Sequence, residues 1–269
     1  MTFPADVEGA AVPERPANVT EYVQWLADRG VAVDRQETHY ETVAVVATQQ
    51  FRESTLWREL VRLLPEWDDE YKLEKAAPLL IDTTPEVVTK SYGSFVLKTF
   101  RKNVLENAAW PEPPVDGWVE PPRWIYKVND VVRTLLLVKY LDGVSVLAGK
   151  VSELASAHGI PCTTSLEATT EGYYAAHLTL RPTFRLPSLD FSLATEAVSV
   201  EIQISTQLQE AIRDLLHKHY EVRRKLVPSS RPWQWDYKSE EFSTNYLGHV
   251  LHYVEGKIVE VREHQEVET

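Results

Sequence analysis

The sequence predicts an α+β fold in which one mixed sheet is packed by helices. Two observations carry that prediction. Apolar residues at helical spacing, bounded by capping residues and by Gly or Pro, fill the N-terminal third and the C-terminal end. Runs of β-branched and alternating apolar residues cluster between positions 125 and 205. Composition agrees, because 269 residues with 43% hydrophobic and 25% charged suffice for one large globular domain or two small ones. No composition break forces a division, and there is no internal repeat.

Taken in order, residues 1–17 read as a loose tail. A helix is expected from a cap at Thr20 to a stop at Gly30. Residues 39–64 carry helical spacing in two blocks; Ser54 caps the second, which should end before Pro65 because proline lacks the N–H that continues a helix. EWDDEYKLEK reads as a solvated charged stretch. KSYGSFVLKTFRKNVLEN reads as a helix starting near Ser91. Residues 110–124, WPEPPVDGWVEPPRW, form a Pro-rich loop. IYKVNDVVRTLLLVKY reads as a long buried strand, LDGVSVLAGKVSELASAHG as a helix closed by Gly159, GYYAAHLTLRPTF as a second strand and AVSVEIQIST as a third. TQLQEAIRDLLHKHYEVRRK is a long helix. In the C-terminal helix, Tyr246, Leu247, Val250, Leu251, Val254, Ile258 and Val261 repeat at three and four.

The single Cys162 excludes an intramolecular disulfide and a cysteine zinc site, and fits a reducing cytosol. No apolar run approaches 18 residues and the acidic N-terminus is no signal peptide, so a cytoplasmic protein without membrane contact is expected. A net charge of −12 opposes non-specific nucleic-acid binding, which needs broad positive potential, but leaves room for a local basic pocket.

Four stretches could carry chemistry. KSYGSFVLKTFRK gathers Lys90, Lys98, Arg101 and Lys102 with the hydroxyls of Ser91 and Ser94 at a helix start. Free N–H groups and lysines there suit phosphate, although a capped helix with a basic surface reads the same way. NDVVRTLLLV places Asp130 and Arg133 at the mouth of the most hydrophobic strand, where an acid either caps the strand or holds a divalent metal. EGYYAAHLTL brings Tyr173, Tyr174 and His177, either core aromatics or a stacking surface for a nucleobase. VEIQIST puts Glu201 mid-strand, either solvated or facing a cleft. His217 and His219 stand two apart on a helix and cannot share a metal. His249 and His252 are three apart, but no carboxylate is spaced to complete a site. GxxxxGK[ST], GxSxG, HExxH and GxGxxG are absent.

In this order, the motifs resemble the synthetase domain of the RelA/SpoT family: K-S-x-x-S-x-x-x-K (Lys90–Lys98), D-x-x-R with Asp130 leading to Arg133, G-Y-x-x-x-H (Gly172–His177) and V-E-I-Q-I-x-T (Val200–Thr206), before a helix ending H-K-H-Y-E. The resemblance spans roughly 86–222. It implies a nucleotidyltransferase-like fold with three parts: a mainly helical extension over 1–85, a core over 86–225, and a tail with an amphipathic helix over 226–269. It also implies transfer of the β,γ-pyrophosphate of ATP to a ribose 3′-hydroxyl. The GYYAAH form and the C-terminal stretch resemble the single-domain toxic small alarmone synthetases. That points to the 3′-terminal adenosine of tRNA as acceptor, with (p)ppGpp or adenine-alarmone synthesis as the alternative. A silent nucleotide- or partner-binding module is a further alternative.

The resemblance assigns Asp130 and Glu201 to Mg²⁺, Glu201 also as general base, and Tyr173 to stacking on the acceptor base with His177 nearby. Lys90, Ser94, Lys98, Arg101 and Arg133 fall to the ATP phosphates. A separately encoded antitoxin is the usual restraint in that group. No hydrolase region is expected before the core and no ribosome-binding tail after it. Two positions depart from the pattern: Val88 and Ser205 stand where the family usually has arginine. Their work would pass to Arg101, Lys102 or Arg133, or the acceptor or the activity differs.

Overall fold

The computed structural model describes residues 14–121, 123–188, 192–213 and 232–267. Its centre is a five-stranded sheet: β1 (Val87–Thr89), β2 (Val132–Val138), β3 (Cys162–Ala168), β4 (Tyr174–Leu180) and β7 (Val200–Thr206), in the order β1-β2-β7-β4-β3. β2 and β7 run parallel, and the remaining pairs are antiparallel. α5 (Leu141–Ala157) connects β2 to β3 and packs on β2, β3, β4 and β7. β5 (Thr183–Pro187) and β6 (Leu193–Ala197) form a separate two-stranded sheet.

Period-two alternation divides the main sheet into two faces. Leu136, Val138, Leu178, Leu180, Val200, Ile202 and Ile204 are buried with Leu147, Val151 and Leu154 of α5. The opposite face carries Arg133, His177, Thr179, Glu201 and Gln203, and the register sets Arg133 beside Glu201 and Gln203 beside His177. Glu201 belongs to this polar face, which answers why an acid sits mid-strand.

Helices α1 (Val19–Asp28), α2 (Val33–Glu53) and α3 (Thr55–Lys75) precede the sheet, and α4 (Tyr92–Phe100) continues into a wider turn over Arg101–Leu105. Ser54 and Ser91 cap α3 and α4 as expected. Gly159, with positive φ, follows α5.

Several expectations are corrected. The cap of α1 is Asn18, whose Oδ1 accepts from the Glu21 N–H at 3.0 Å, rather than Thr20. α3 does not stop at Pro65 but runs through it to Lys75. Leu60, Leu64, Trp67 and Tyr71 continue its buried stripe, and burying them outweighs the roughly 3 kcal/mol that an interior proline costs. EWDDEYKLEK is therefore helical: Glu66, Asp69, Glu70, Lys72 and Glu74 are exposed, as expected of a solvated charged stretch, whereas Trp67, Asp68 and Tyr71 are buried. IYKVNDVVRTLLLVKY is a strand only from Val132; Trp124–Lys127 form a 3-10 turn, tied to the Pro-rich loop by Lys127 Nζ on the carbonyls of Asp116 and Trp118. GYYAAHLTLRPTF divides into β4 and β5 at Pro182. The long helix after β7 is described over 207–213; His217, His219 and Arg223–Lys225 lie outside the described residues.

The C-terminal helix, α6 (Glu240–Val267), reverses the usual orientation of an amphipathic helix. Its apolar stripe, including Leu247, Val250, Val254, Ile258 and Val261, is exposed, and its small and polar side faces the body through Asn245, Gly248 and Glu255. Trp233 packs edge-on against Tyr246 of α6, whereas Trp235 and Tyr237 stand exposed. Among the described residues, no helix is long and apolar enough to cross a membrane.

Asp68 of α3 fastens the chain entering the sheet. Its Oδ1 accepts from the buried N–H groups of Leu79 at 2.8 Å and Leu80 at 3.0 Å, and its other oxygen pairs with Lys72. Burial pushes the carboxyl up, but Lys72 and the two N–H groups outweigh it and hold Asp68 below the ordinary carboxylate value. Asp68→Ala strands both donors and is expected to cost about 3 kcal/mol in urea unfolding. A depressed carboxyl stabilises above its unfolded value and stops doing so as pH falls through the folded value. The gap between wild type and Asp68→Ala should therefore shrink below about pH 4.

Candidate active site

The described site is built at one end of the parallel pair. Asp130 lies two residues before β2 and Glu201 is the second residue of β7, so both carboxylates come from the same end of neighbouring strands. Lys90 arrives from the edge, its N–H extending the β1–β2 ladder to Val131 O at 2.9 Å and its carbonyl held by Tyr40.

Asp130 and Lys90 are both only 6% exposed, and Lys90 Nζ donates to Asp130 Oδ2 at 2.7 Å. Lys98, just under two turns into α4, stands 3.7 Å from the same oxygen. Burial drives the Asp130 carboxyl up, yet Lys98, Lys90 and Arg133 together overcome it and hold it below the ordinary carboxylate value. Burial also pulls the Lys90 ammonium down, against the attraction of Asp130. Three cations around one carboxylate leave the cluster with surplus positive charge, which suits a polyphosphate. The other oxygen, Asp130 Oδ1, is buried and finds no hydrogen-bond partner.

Glu201 is 7% exposed, hydrogen-bonded at one oxygen and approached by a histidine at the other. Gln203 Nε2 donates to Oε1, and His177 Nδ1 lies 3.7 Å from Oε2. His177 Nε2 is 2.9 Å from the Tyr173 hydroxyl. With the proton on Nδ1, His177 accepts from Tyr173 and turns its N–H toward Glu201, at 3.7 Å beyond direct hydrogen-bond reach, so the hydrogen bond that orients the carboxylate is the one from Gln203.

Of the sequence-predicted residues, Lys90, Lys98, Asp130 and Arg133 share one cluster, and Tyr173, His177 and Glu201 share a second on the same face. Ser94 sits at the start of α4, its Oγ receiving the Ser91 hydroxyl at 3.0 Å. Arg101 pairs with Glu106 at 2.6 Å instead of joining the Asp130 cluster. Val88 pairs in register with Arg133, so the missing arginine would have stood beside Arg133 on the Glu201 face. Ser205 is buried opposite Leu137. Sequence reasoning missed Gln203, although its place two residues after Glu201 puts both on one face. It also missed the use of His249 and His252, which engage Tyr174 rather than a metal.

No family model and no curated protein sequence matches the chain. Solved structures do. The crystal structure of small alarmone synthetase 1 from Bacillus subtilis superposes with a TM-score of 0.51 at 13% identity, covering 81% of this chain and 97% of that one. The fold is that of the small alarmone synthetases. The same synthetase bound to its product pppGpp matches with a TM-score of 0.51 at 16% identity, over 82% of this chain and 99% of that one. The small alarmone synthetase fold is thus a nucleotidyltransferase-like α+β arrangement here too, with the lysine cluster and Glu201 on its polar sheet face.

Proposed function

We propose that the chain is an ATP-dependent pyrophosphokinase that transfers the β,γ-pyrophosphate of ATP to a ribose 3′-hydroxyl. The observation that supports it best is the pairing of a buried Glu201, oriented by Gln203, with a cationic cluster around Asp130. Lys90, Lys98 and Arg133 receive the polyphosphate, Ser94 and the α4 N-terminus support it, and Tyr173 stacks on the acceptor base beside His177. Arg101 joins the phosphate only by leaving Glu106. Glu201 takes the proton of the 3′-hydroxyl as its oxygen bonds the β-phosphorus; the bond from that phosphorus to the α,β-bridging oxygen breaks, and AMP leaves.

Asp130 and Glu201 fit Mg²⁺, because an unpartnered buried Oδ1 and a second carboxylate at the same sheet end suit an ion that takes most of its ligands from phosphate and water. Bound there with the donor, Mg²⁺ would neutralise charge on the transferred phosphates.

The acceptor we favour is the 3′-terminal adenosine of tRNA, which would make the protein a translation-blocking toxin of the cytoplasm restrained by an antitoxin. The GYYAAH form supports this, and Lys102, beside Lys98 and Arg101 in KTFRK, adds local positive charge for the acceptor. A guanine or adenine nucleotide is the second reading, favoured by the net charge of −12. ATP labelled at its γ-phosphate, offered with Mg²⁺ to deacylated tRNA, to GDP or GTP, and to AMP or ADP, tests both. Label on tRNA is the expected result. Label on a nucleotide moves the protein to alarmone synthesis, and label on none leaves a binding module.

A further inference from the structure

α6 meets the sheet at one place with unusual closeness. Gly172 has φ of +82° in the turn that leads into β4, and Gly248 of α6 lies directly on it. A Cβ on Gly172 would meet Asn245 O and come within 3.0 Å of His249 N, and a Cβ on Gly248 would meet Gly172 O and come within 2.9 Å of its carbonyl carbon. These neighbours are backbone atoms and cannot swing aside.

The next residue of α6 completes the contact. His249 Nε2 donates to the carbonyl of Thr170 at 3.0 Å, which leaves Nδ1 to accept from the Tyr174 hydroxyl at 2.8 Å. The His252 ring stacks on Tyr174 at 3.6 Å with planes 1° apart. The turn itself is closed by the Gly172 N–H on Thr169 O at 3.1 Å and the Thr169 N–H on Tyr173 O at 3.0 Å.

Alternation then divides the labour of the two tyrosines. Tyr174 points to the helix side and is gripped by α6, so Tyr173 must point to the other face, where its hydroxyl reaches His177 and, through it, Glu201. We infer that α6 is a positioning element for the acceptor side of the site, holding the turn over 169–173 through Gly248 and His249 so that Tyr173 is presented to the Glu201 face. The acceptor role of Tyr173 rests on the pyrophosphokinase reading; the grip of α6 on the turn does not. The rest of the helix is fastened independently, by Gln209 on Glu255 at 3.1 Å and by Arg262 on Asp142, so loosening the turn need not release α6.

The test is Gly248→Ala. Alanine favours helix over glycine, so any loss comes from the contact and not from helix propensity. The acceptor KM should rise about tenfold or more, while affinity for α,β-methylene-ATP stays at the wild-type value. Amide exchange at Thr169 and Gly172 should quicken by a similar factor. Gly256→Ala on the same helix, where the added carbon meets only Leu141 Cδ2 at 4.0 Å, should change none of these. His249→Ala adds no atoms and should give the same pattern in weaker form, so it decides the matter if Gly248→Ala does not fold. Wild-type exchange at Thr169 and Gly172 in both variants would overturn the inference. A chain that transfers pyrophosphate to no acceptor would sink the functional reading, and the exchange rates would still decide the grip.

Discussion

Glu201→Gln should lower pyrophosphate transfer by about 10²–10⁴-fold, the usual contribution of a positioned general base. The substitution keeps the size of the side chain. Its Oε1 still accepts from Gln203, and the fold loses no charge partner beyond the 3.7 Å approach of His177. Thermal unfolding and affinity for α,β-methylene-ATP should therefore stay close to wild type while label transfer disappears. Transfer within tenfold of wild type would place the base elsewhere, and would favour a binding module if wild type is equally slow.

The largest stability effect should come from Lys90→Met. Both members of the Lys90–Asp130 pair are buried, and removing one leaves an uncompensated charge, which costs about 3–5 kcal/mol where such pairs have been broken. Lys98, 3.7 Å from the same oxygen, keeps part of the compensation, so the low end of that range is expected in urea unfolding. Adding Asp130→Leu to Lys90→Met should recover most of the loss, since no buried charge is then left alone. A double variant as unstable as the single one would show that the pair holds the backbone entering β2 rather than balancing charge.

Much of the site was legible because its chemistry lies in short ordered motifs. Glu201 could be placed on a polar face from alternation alone, and Lys90, Lys98, Asp130, Arg133, Tyr173 and His177 came with the resemblance. The Arg101–Glu106 pair was not legible, because helical spacing shows which side of α4 Arg101 leaves from, but not that Glu106, five residues on, meets it. Gln203 was legible and overlooked. β3 was not legible: its residues Cys162–Ala168 lack apolar alternation, and as an edge strand it is mostly exposed and paired on one side only.

What the sequence determined by itself is local. Caps at Ser54 and Ser91, the stop at Gly159, the central strands β2, β4 and β7, and the identity of the chemical groups all follow from residue type and period. What only the tertiary structure decided is whatever depends on a second element. Burial of Trp67 and Tyr71 carries α3 through Pro65, against the local preference of the chain. The Gly172–Gly248 contact joins residues 76 positions apart and turns the apolar stripe of α6 outward. Asp130 and Lys90 stand 40 residues apart and are made partners by the β1–β2 ladder. Period and propensity report on neighbours along the chain; which face is buried, and which charge meets which, are settled by packing between elements.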